Sequence, residues 1–204
     1  MENEINILQQ NFLKRGYRFS YFENTNDAIS YIMNLIPEQA SIGFGGSQTV
    51  LESGLLSALD ASGKYTLLHR DICKEYSIDE LFQKMHQADW YIASANALCQ
   101  TGDIINIDGR ANRVSSILNG PKNVLLICGT NKIVSTVEEG IDRARNVAAT
   151  ANCKRLQKKT PCYYTGQCVR CNSPETICNA TVIQHHPTSG STVYVVLIHK
   201  NLGY

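Results

Sequence analysis

The chain has 204 residues, of which 43% are hydrophobic and 18% are charged. This is the composition of an ordinary globular protein with a substantial core. Its formal net charge of +1 argues against nucleic acid as a partner, because proteins that bind nucleic acid carry a basic face or stripe. No apolar run approaches the length of a membrane span and the first residues do not resemble a signal peptide, so we expect a cytoplasmic protein with no membrane partner.

Helix and strand patterns alternate along the chain. The N-terminal half predicts helices over 3–15, 26–35, 49–59 and 78–86, and strands over 17–22, 41–44 and 65–68. The C-terminal half predicts strands over 90–93, 104–107, 124–128 and 193–199, and helices over 112–118 and 137–156. Capping boxes are predicted at Thr49 with Glu52 and at Thr136 with Glu139. This order predicts one α/β domain over 1–204, with a mainly parallel sheet and antiparallel edges at the 90–108 hairpin region and the last strand.

Cysteines are concentrated near the C-terminus. Four of the eight fall in the turn-rich segment 160–180, the cysteine loop, with the spacing C-x5-C-x2-C-x6-C: Cys162, Cys168, Cys171 and Cys178. In a reducing compartment, clustered thiols more often bind metal than form structural disulfides. The spacing allows an iron–sulfur cluster or a structural zinc, with His185 or His186 as substitute ligands, and matches no standard pattern of either kind. A loop of free thiols is the alternative to both.

A glycine turn separates the strand at 41–44 from the next helix. In the run Gly43-Phe44-Gly45-Gly46-Ser47, backbone N–H groups at Gly45, Gly46 and Ser47 are predicted to approach an anion or carboxylate at a helix start. The run lacks the G-x-G-x-x-G spacing and the lysine of a phosphate-binding loop, so it gives no support for nucleotide binding. A tight turn that needs glycine for its backbone angles is an equally good interpretation.

Polar groups also follow the later strands. Ligands of open α/β sheets bind beyond the carboxyl ends of the strands, where these loops are predicted to converge. The predicted anion contacts are Arg110, Arg113 and Lys132, and the predicted orienting amides are Asn96, Asn112 and Asn131. Separate turns with solvated charges are the alternative.

Candidate acids, bases and nucleophiles are less distinctive. Asp103, Asp108 and Glu52 are candidate general bases, but Asp103 is better interpreted as a turn residue and Glu52 as a helix cap, so no catalytic residue is assigned. Cys99 and Cys128 fit the core better than a nucleophile role.

Read together, these stretches resemble the LUD (lactate utilization) domain family, and the likeness covers nearly the whole chain. The motifs that carry it are 42–49 (IGFGGSQT), 94–97 (SANA), 103–109 (DIINIDG), 112–114 (NRV), 120–122 (GPK), 129–134 (GTNKIV), the helix 137–155, 160–162 (TPC), 165–168 (TGQC), 171–174 (CNSP), 177–179 (ICN) and 202–204 (LGY).

The resemblance implies a Rossmann-like fold of the NagB/RpiA/CoA-transferase superfamily, with helices on both faces of the sheet. It implies a role in the oxidation of lactate or a related 2-hydroxy acid, beside iron–sulfur or dehydrogenase partner subunits. It also favours iron–sulfur, as a 4Fe-4S cluster, over zinc in the cysteine loop.

Two other functions remain open. One is a non-redox enzyme for a CoA ester, a folate or a phosphosugar, with zinc holding the loop. The other is a non-catalytic subunit that docks a partner. Whether the chain is an enzyme by itself, and whether it forms a homo-oligomer, are not decided by the sequence.

Overall fold

The computed structural model describes residues 2–204. The helices are α1 (Glu2–Lys14), α2 (Thr25–Leu35), α3 (Gln48–Glu52), α4 (Leu55–Ser62), α5 (Ile78–His86), α6 (Asn112–Asn119), α7 (Val137–Arg143), α8 (Thr150–Arg155) and α9 (Pro161–Thr165). The strands are β1 (Arg18–Phe22), β2 (Ser41–Phe44), β3 (Thr66–Leu68), β4 (Trp90–Ala93), β5 (Ala97–Cys99), β6 (Ile104–Asp108), β7 (Asn123–Gly129), β8 (Ile133–Val134), β9 (Ala180–Gln184) and β10 (Thr192–Ile198).

The main sheet confirms the predicted α/β fold. Over the described residues it contains six strands in the order β1-β10-β7-β4-β2-β3, and every neighbouring pair is parallel. The prediction of the last strand as an antiparallel edge is wrong, because β10 lies between β1 and β7 and is parallel to both. Two interior strands, β7 and β10, read NVLLICG and TVYVVLI. Such continuous apolar runs are typical of strands that are covered on both faces.

Helices cover the two faces of the main sheet. On one face, Leu8 and Phe12 of α1 pack with Leu81 of α5. On the other face, Ile32 of α2 and Leu59 of α4 fill the core. Because β2, β4 and β7 are parallel neighbours, the loops that follow them lie together at the carboxyl ends of the strands.

A smaller sheet holds the region around residue 100, and it corrects one expectation. Among the described residues its strands follow the order β8-β5-β6-β9. The strand β4 does not belong to it: β6 pairs antiparallel with β5 and with β9. The expected pairing of the 90–93 and 104–107 segments is therefore wrong, because the first is β4 of the main sheet and the second is β6 of the smaller sheet. The actual partners of β6 are β5 and β9, whose sequence patterns are weak.

The helix after the glycine turn begins differently from its prediction. The N-cap is Ser47, whose hydroxyl accepts the Val50 N–H at 3.2 Å. The predicted capping pair binds the C-terminal residues: Thr49 Oγ1 donates to the Leu202 carbonyl, and Glu52 Oε2 accepts the Gly203 N–H at 2.6 Å. The capping box at Thr49 and Glu52 is therefore wrong, because tertiary contacts use both side chains.

The long helix predicted over 137–156 begins at its predicted cap. Thr136 Oγ1 accepts the Glu139 N–H at 3.2 Å. The predicted capping box is only half formed, because Glu139 Oε2 accepts the Ser135 N–H at 2.9 Å and not that of Thr136. The middle of the helix is a π-helical turn over Ala144–Ala149, between α7 and α8. Such turns are frequent at functional sites, and this one lies beneath the cysteine loop. No helix in the described part of the chain is long and apolar enough to cross a membrane.

Candidate functional site

A cavity of about 600 Å³ opens where the strand-end loops converge, and we call it the strand-end pocket. It is lined by Phe44 at the end of β2, Gly46 after β2, Ser94 after β4 and Lys132 after β7. Within the described residues its wall holds six basic side chains, against the carboxylates Asp108 and Glu175. The basic ones are Arg70, Arg110, Arg113, Lys132, Arg155 and Lys158. A concave site with this charge excess is suited to an anion.

The glycine turn passes close to the interior of the pocket. Gly46 and Ser47 line the cavity, and Gly45 does not. A Cβ atom on Gly45 would lie 3.0 Å from Arg113 Cγ and from Tyr91 Oη, whereas one on Gly46 would meet only Arg70 Nη2, at 3.7 Å. Gly45 is therefore needed for a close approach of two chain segments, which supports the packing interpretation at that residue.

Arg113 lines the pocket but its guanidinium also holds the pocket together. It donates to the Ser94 carbonyl at 3.2 Å, to Asn96 Oδ1 at 3.2 Å and to the Ile107 carbonyl at 2.8 Å. Its Nε lies 3.5 Å from Asp108 Oδ2. Arg113 thus fixes the ends of β4 and β6 relative to each other, and its charge contributes to the potential of the cavity.

Lys132 is the most buried basic residue of the pocket, with 2% of its surface exposed. Its Nζ donates to Ser94 Oγ at 3.0 Å and to the Ala95 carbonyl at 2.9 Å. Burial lowers the pKa of Lys132 to about 8, and the nearby charges of Arg143 and Arg113 act in the same direction. Ser94 Oγ also lies 3.6 Å from Cys128 Sγ, so a polar chain runs from the pocket wall into the core.

The other predicted contacts have distinct places. Asn96, Arg110 and Asn112 line the pocket. Arg110 forms an exposed ion pair with Asp79 at 2.7 Å. Asn131 lies outside the lining, where its amide binds the C-terminal segment through Leu202 N at 3.1 Å and the Gly203 carbonyl at 3.3 Å.

The candidate bases are occupied by structural contacts. Asp108 accepts the Arg110 and Ala111 N–H groups at 3.1 Å, which anchors the start of α6. Asp103 lies outside the pocket lining and pairs with Arg15 at 2.9 Å and His185 at 2.5 Å. Burial alone would raise the pKa of Asp103, but hydrogen bonds from Thr101 and His185 and the charge of Arg15 hold it below its usual value. Of the two carboxylates, only Asp108 belongs to the pocket wall.

Sequence reasoning missed several residues of the pocket wall. They are His69, Arg70, Arg155 and Tyr204. His69 is 6% exposed, and its Nδ1 accepts the Asp71 N–H at 3.2 Å, which places the proton of the neutral ring on Nε2. Burial lowers the pKa of His69. Residues 69 and 70 follow the edge strand β3, whose short pattern gave no reason to expect a site there.

The cysteine loop forms a second cavity, of about 250 Å³, against the π-helical turn, and we call it the cysteine cavity. Five thiols line it: the four predicted cysteines and Cys153 of α8. Thr160 Oγ1 lies 3.2 Å from Cys162 Sγ, and Asn146 Oδ1 accepts the Cys168 N–H at 3.1 Å. Sequence reasoning missed Cys153 because only the tertiary fold brings α8 to the loop.

The residues of the cysteine cavity fit a thiolate-bound metal group in their chemistry. Cys162 and Cys153 are buried, and the buried Nε of Arg145, which has no hydrogen-bond partner, belongs to a residue of the cavity wall. A cation without a partner beside thiols suits an anionic thiolate centre. Within residues 2–204, no three histidine, cysteine or carboxylate side chains are arranged as a ready metal site.

The two cavities share part of their walls. Ala149, at the end of the π-helical turn, and Thr176, in the cysteine loop, line both of them. A group bound among the thiols would therefore lie next to a ligand of the strand-end pocket.

Comparison with known proteins agrees with this architecture. The family model described as "LUD domain" matches residues 5–198. A crystal structure of a DUF162 family protein from Deinococcus radiodurans is similar in fold, with a TM-score of 0.56 and 14% sequence identity over 97% of each chain. No match was found among the curated proteins.

Proposed function

The chain belongs to the LUD domain family, and from that premise we propose that it is a lactate-utilization-type protein that acts in the oxidation of lactate or a related 2-hydroxy acid. It binds a small carboxylate in the strand-end pocket and an iron–sulfur cluster in the cysteine cavity. The observation that carries the proposal is the basic pocket at the carboxyl ends of the parallel strands, directly beside the thiols.

The charge of the pocket supports an anionic ligand. Arg70, Lys132 and Lys158 line it, and none of the three has a carboxylate partner among the ion pairs of the described residues. A ligand carboxylate would supply the missing negative charge through charge-assisted hydrogen bonds.

Cys162, Cys168, Cys171 and Cys178 would hold the cluster, with Arg145 and Arg170 offsetting its negative charge. An iron–sulfur cluster supplies one-electron transfer when it is bound. Anaerobic purification followed by iron, sulfide and zinc analysis tests this part. A protein that contains zinc and no iron would favour the structural-zinc alternative. A variant with all four residues changed to serine that keeps the fold and its bound iron would end the cluster proposal.

The volume of the strand-end pocket favours one other candidate. About 600 Å³ lies in the range of sites for drug-sized ligands, which is more space than a three-carbon acid fills. A CoA ester, a folate or a phosphosugar would use this space and the same basic wall, as in a non-redox enzyme.

A thermal-shift series on the purified chain separates the two candidates. Lactate, pyruvate, a CoA ester, a folate and a sugar phosphate are each added in excess, and ligand binding stabilises the fold by about 2.7 kcal/mol at 100 times Kd. We expect stabilisation by lactate and pyruvate. Stabilisation by one of the larger anions and by neither acid would contradict the proposal.

The proposed partners are iron–sulfur or dehydrogenase subunits. Tyr164 and Val169 of the cysteine loop are 69% and 60% exposed, so a partner subunit that meets the loop would cover apolar surface beside the thiols. Native size-exclusion of the tagged chain from lysate tests the proposal. Recovery of the free chain alone would count against a docking subunit.

A further inference from the structure

Lys132 is a buried amine in an environment that disfavours its charge. Its ammonium donates to two neutral acceptors, Ser94 Oγ and the Ala95 carbonyl. Among the side chains that the structure describes, no carboxylate forms an ion pair with it. Burial is the main cause of its lowered pKa; Arg143 and Arg113 repel the ammonium, whereas Cys128 and, more weakly, Glu52 favour it.

Packing alone gives no reason for an amine at this position. A buried and unpaired charge costs free energy that an apolar side chain of similar length would avoid. Buried lysines beside other cations recur where the neutral amine acts as a nucleophile toward a carbonyl group. With its pKa lowered to about 8, Lys132 has an appreciable neutral fraction at physiological pH.

The geometry also gives the amine a ligand and a proton relay. Lys132 and Ser94 both line the strand-end pocket, so the amine and the hydroxyl that it binds belong to residues of the cavity wall and not of a closed core. Ser94 Oγ lies 3.0 Å from Nζ, which is the distance over which a hydroxyl exchanges a proton with a nitrogen.

We propose that Lys132 Nζ condenses with the carbonyl carbon of a 2-oxo acid in the strand-end pocket to form an imine. The proposal rests on the proposed function, since a 2-oxo acid is the oxidised counterpart of a 2-hydroxy acid. The pocket would thus retain the product of the oxidation covalently and reversibly.

The condensation needs no oxidant or reductant. The Nζ lone pair forms a bond to the carbonyl carbon, and the carbonyl oxygen takes a proton as its π bond breaks. The nitrogen then loses a proton, the new hydroxyl leaves as water after taking a proton, and the C=N bond forms. Ser94 Oγ is placed to pass the proton from Nζ toward the departing oxygen. The basic wall, including Arg70, holds the carboxylate of the acid.

Reductive trapping on the full-length wild-type chain tests the inference. Pyruvate and cyanoborohydride are added, and the peptides are mapped by mass spectrometry for lysines that gain the mass of pyruvate, less water and plus two hydrogens. We expect the adduct on Lys132 in large excess over the exposed Lys122 and Lys200. Lactate lacks the carbonyl and should give no adduct. Lys132→Arg should abolish this adduct, and the matched Lys122→Arg variant should retain it.

The wild-type map alone decides the question even if Lys132→Arg does not fold. Pyruvate that stabilises the fold without labelling Lys132 above the exposed lysines would overturn the imine and leave the proposed function standing. Absence of both label and stabilisation, with lactate equally inactive, would overturn the imine and the proposed function together.

Discussion

The strand-end pocket and the cysteine cavity share Ala149 and Thr176 but are built in different ways. The pocket lies on the ends of buried parallel strands, and its central residues bind other parts of the chain through several hydrogen bonds each. The cysteine cavity is formed by a loop with little regular structure, laid across the helix that ends in α8. The positions of the pocket side chains are therefore set by the fold, whereas three of the thiols, Cys168, Cys171 and Cys178, lie in irregular backbone and are only partly buried. If the proposed cluster binds, the pocket would be the preorganised site and the cysteine cavity the one that the metal completes.

The largest effect should come from the cysteine loop. A variant with Cys162, Cys168, Cys171 and Cys178 changed to serine should lose all bound iron, because hydroxyl groups do not replace thiolates in an iron–sulfur cluster. Visible absorption and iron content of the anaerobically purified protein measure this. The strand-end pocket should still bind pyruvate, since none of the four residues lines it. Loss of pyruvate binding together with loss of the iron would show that pyruvate binding depends on the cysteine loop.

A pH titration should distinguish the buried amine of the pocket. The folded-state pKa of Lys132 is lowered to about 8, below the unfolded value of about 10.4. Between these values the unfolded chain holds a proton that the folded chain has released, so this residue makes stability rise with pH, by up to about 3 kcal/mol in total. In Lys132→Met that rise should be absent, and the variant should be the more stable one at pH 7.

Urea unfolding of both proteins at pH 7 and at pH 10 measures the effect. Other groups, such as Cys99 with its pKa raised to about 12 by burial, lower stability at alkaline pH in both proteins, so they cancel in the difference. Equal pH slopes for wild type and Lys132→Met would contradict the burial-lowered pKa.

Two neighbouring glycines test how rigid the pocket is. Gly45→Ala should destabilise the fold by about 1–3 kcal/mol, because its Cβ would lie 3.0 Å from Arg113 Cγ and Tyr91 Oη. Gly46→Ala is the matched control, since its Cβ would meet only Arg70 Nη2 at 3.7 Å. Urea unfolding compares the two. A similar loss of unfolding free energy in both variants would show that the destabilisation comes from the loop backbone and not from the close contacts of Gly45.

The smallest effect should come from the rim of the pocket. Arg70→Ala should weaken pyruvate binding about tenfold, or by ~1.4 kcal/mol, with little change in stability, because Arg70 is exposed and has no ion-pair partner among the described residues. Arg110→Ala is the control, since Arg110 already pairs with Asp79, and it should weaken binding less. The ligand-induced shift in Tm measures both, and an equal loss would contradict this ranking.

The difference between the two cavities also explains what the sequence could predict. Some sequence patterns involve only neighbouring residues, and these predict their elements. Examples are the apolar runs of β7 and β10 and the helix-start pattern at Thr136. The strand β5 has only three residues, and β9 is an edge strand of the smaller sheet that pairs with β6, so both depend on their partners more than on a pattern of their own. Thr49 and Glu52 fit a local capping box, but the C-terminal residues use both side chains.

The candidate sites follow the same division. The spacing of the four loop cysteines and the basic loops after the strands are visible in the sequence, and the structure places most of the predicted residues around one of two adjacent cavities. Contacts between distant segments of the chain determine three other placements: Cys153 beside the loop, Arg70 on the pocket rim and Ser94 against Lys132. Among the described residues no carboxylate forms an ion pair with Lys132, which is likewise a property of the folded chain that no local pattern predicts.

Titration calorimetry of lactate and pyruvate into the anaerobically purified wild-type chain tests whether the strand-end pocket is a carboxylate site. We expect saturable binding of both acids at one site per chain, and weaker binding at higher salt because the contacts are ionic. No saturable heat from either acid, with saturable heat from a CoA ester or a sugar phosphate, would contradict it.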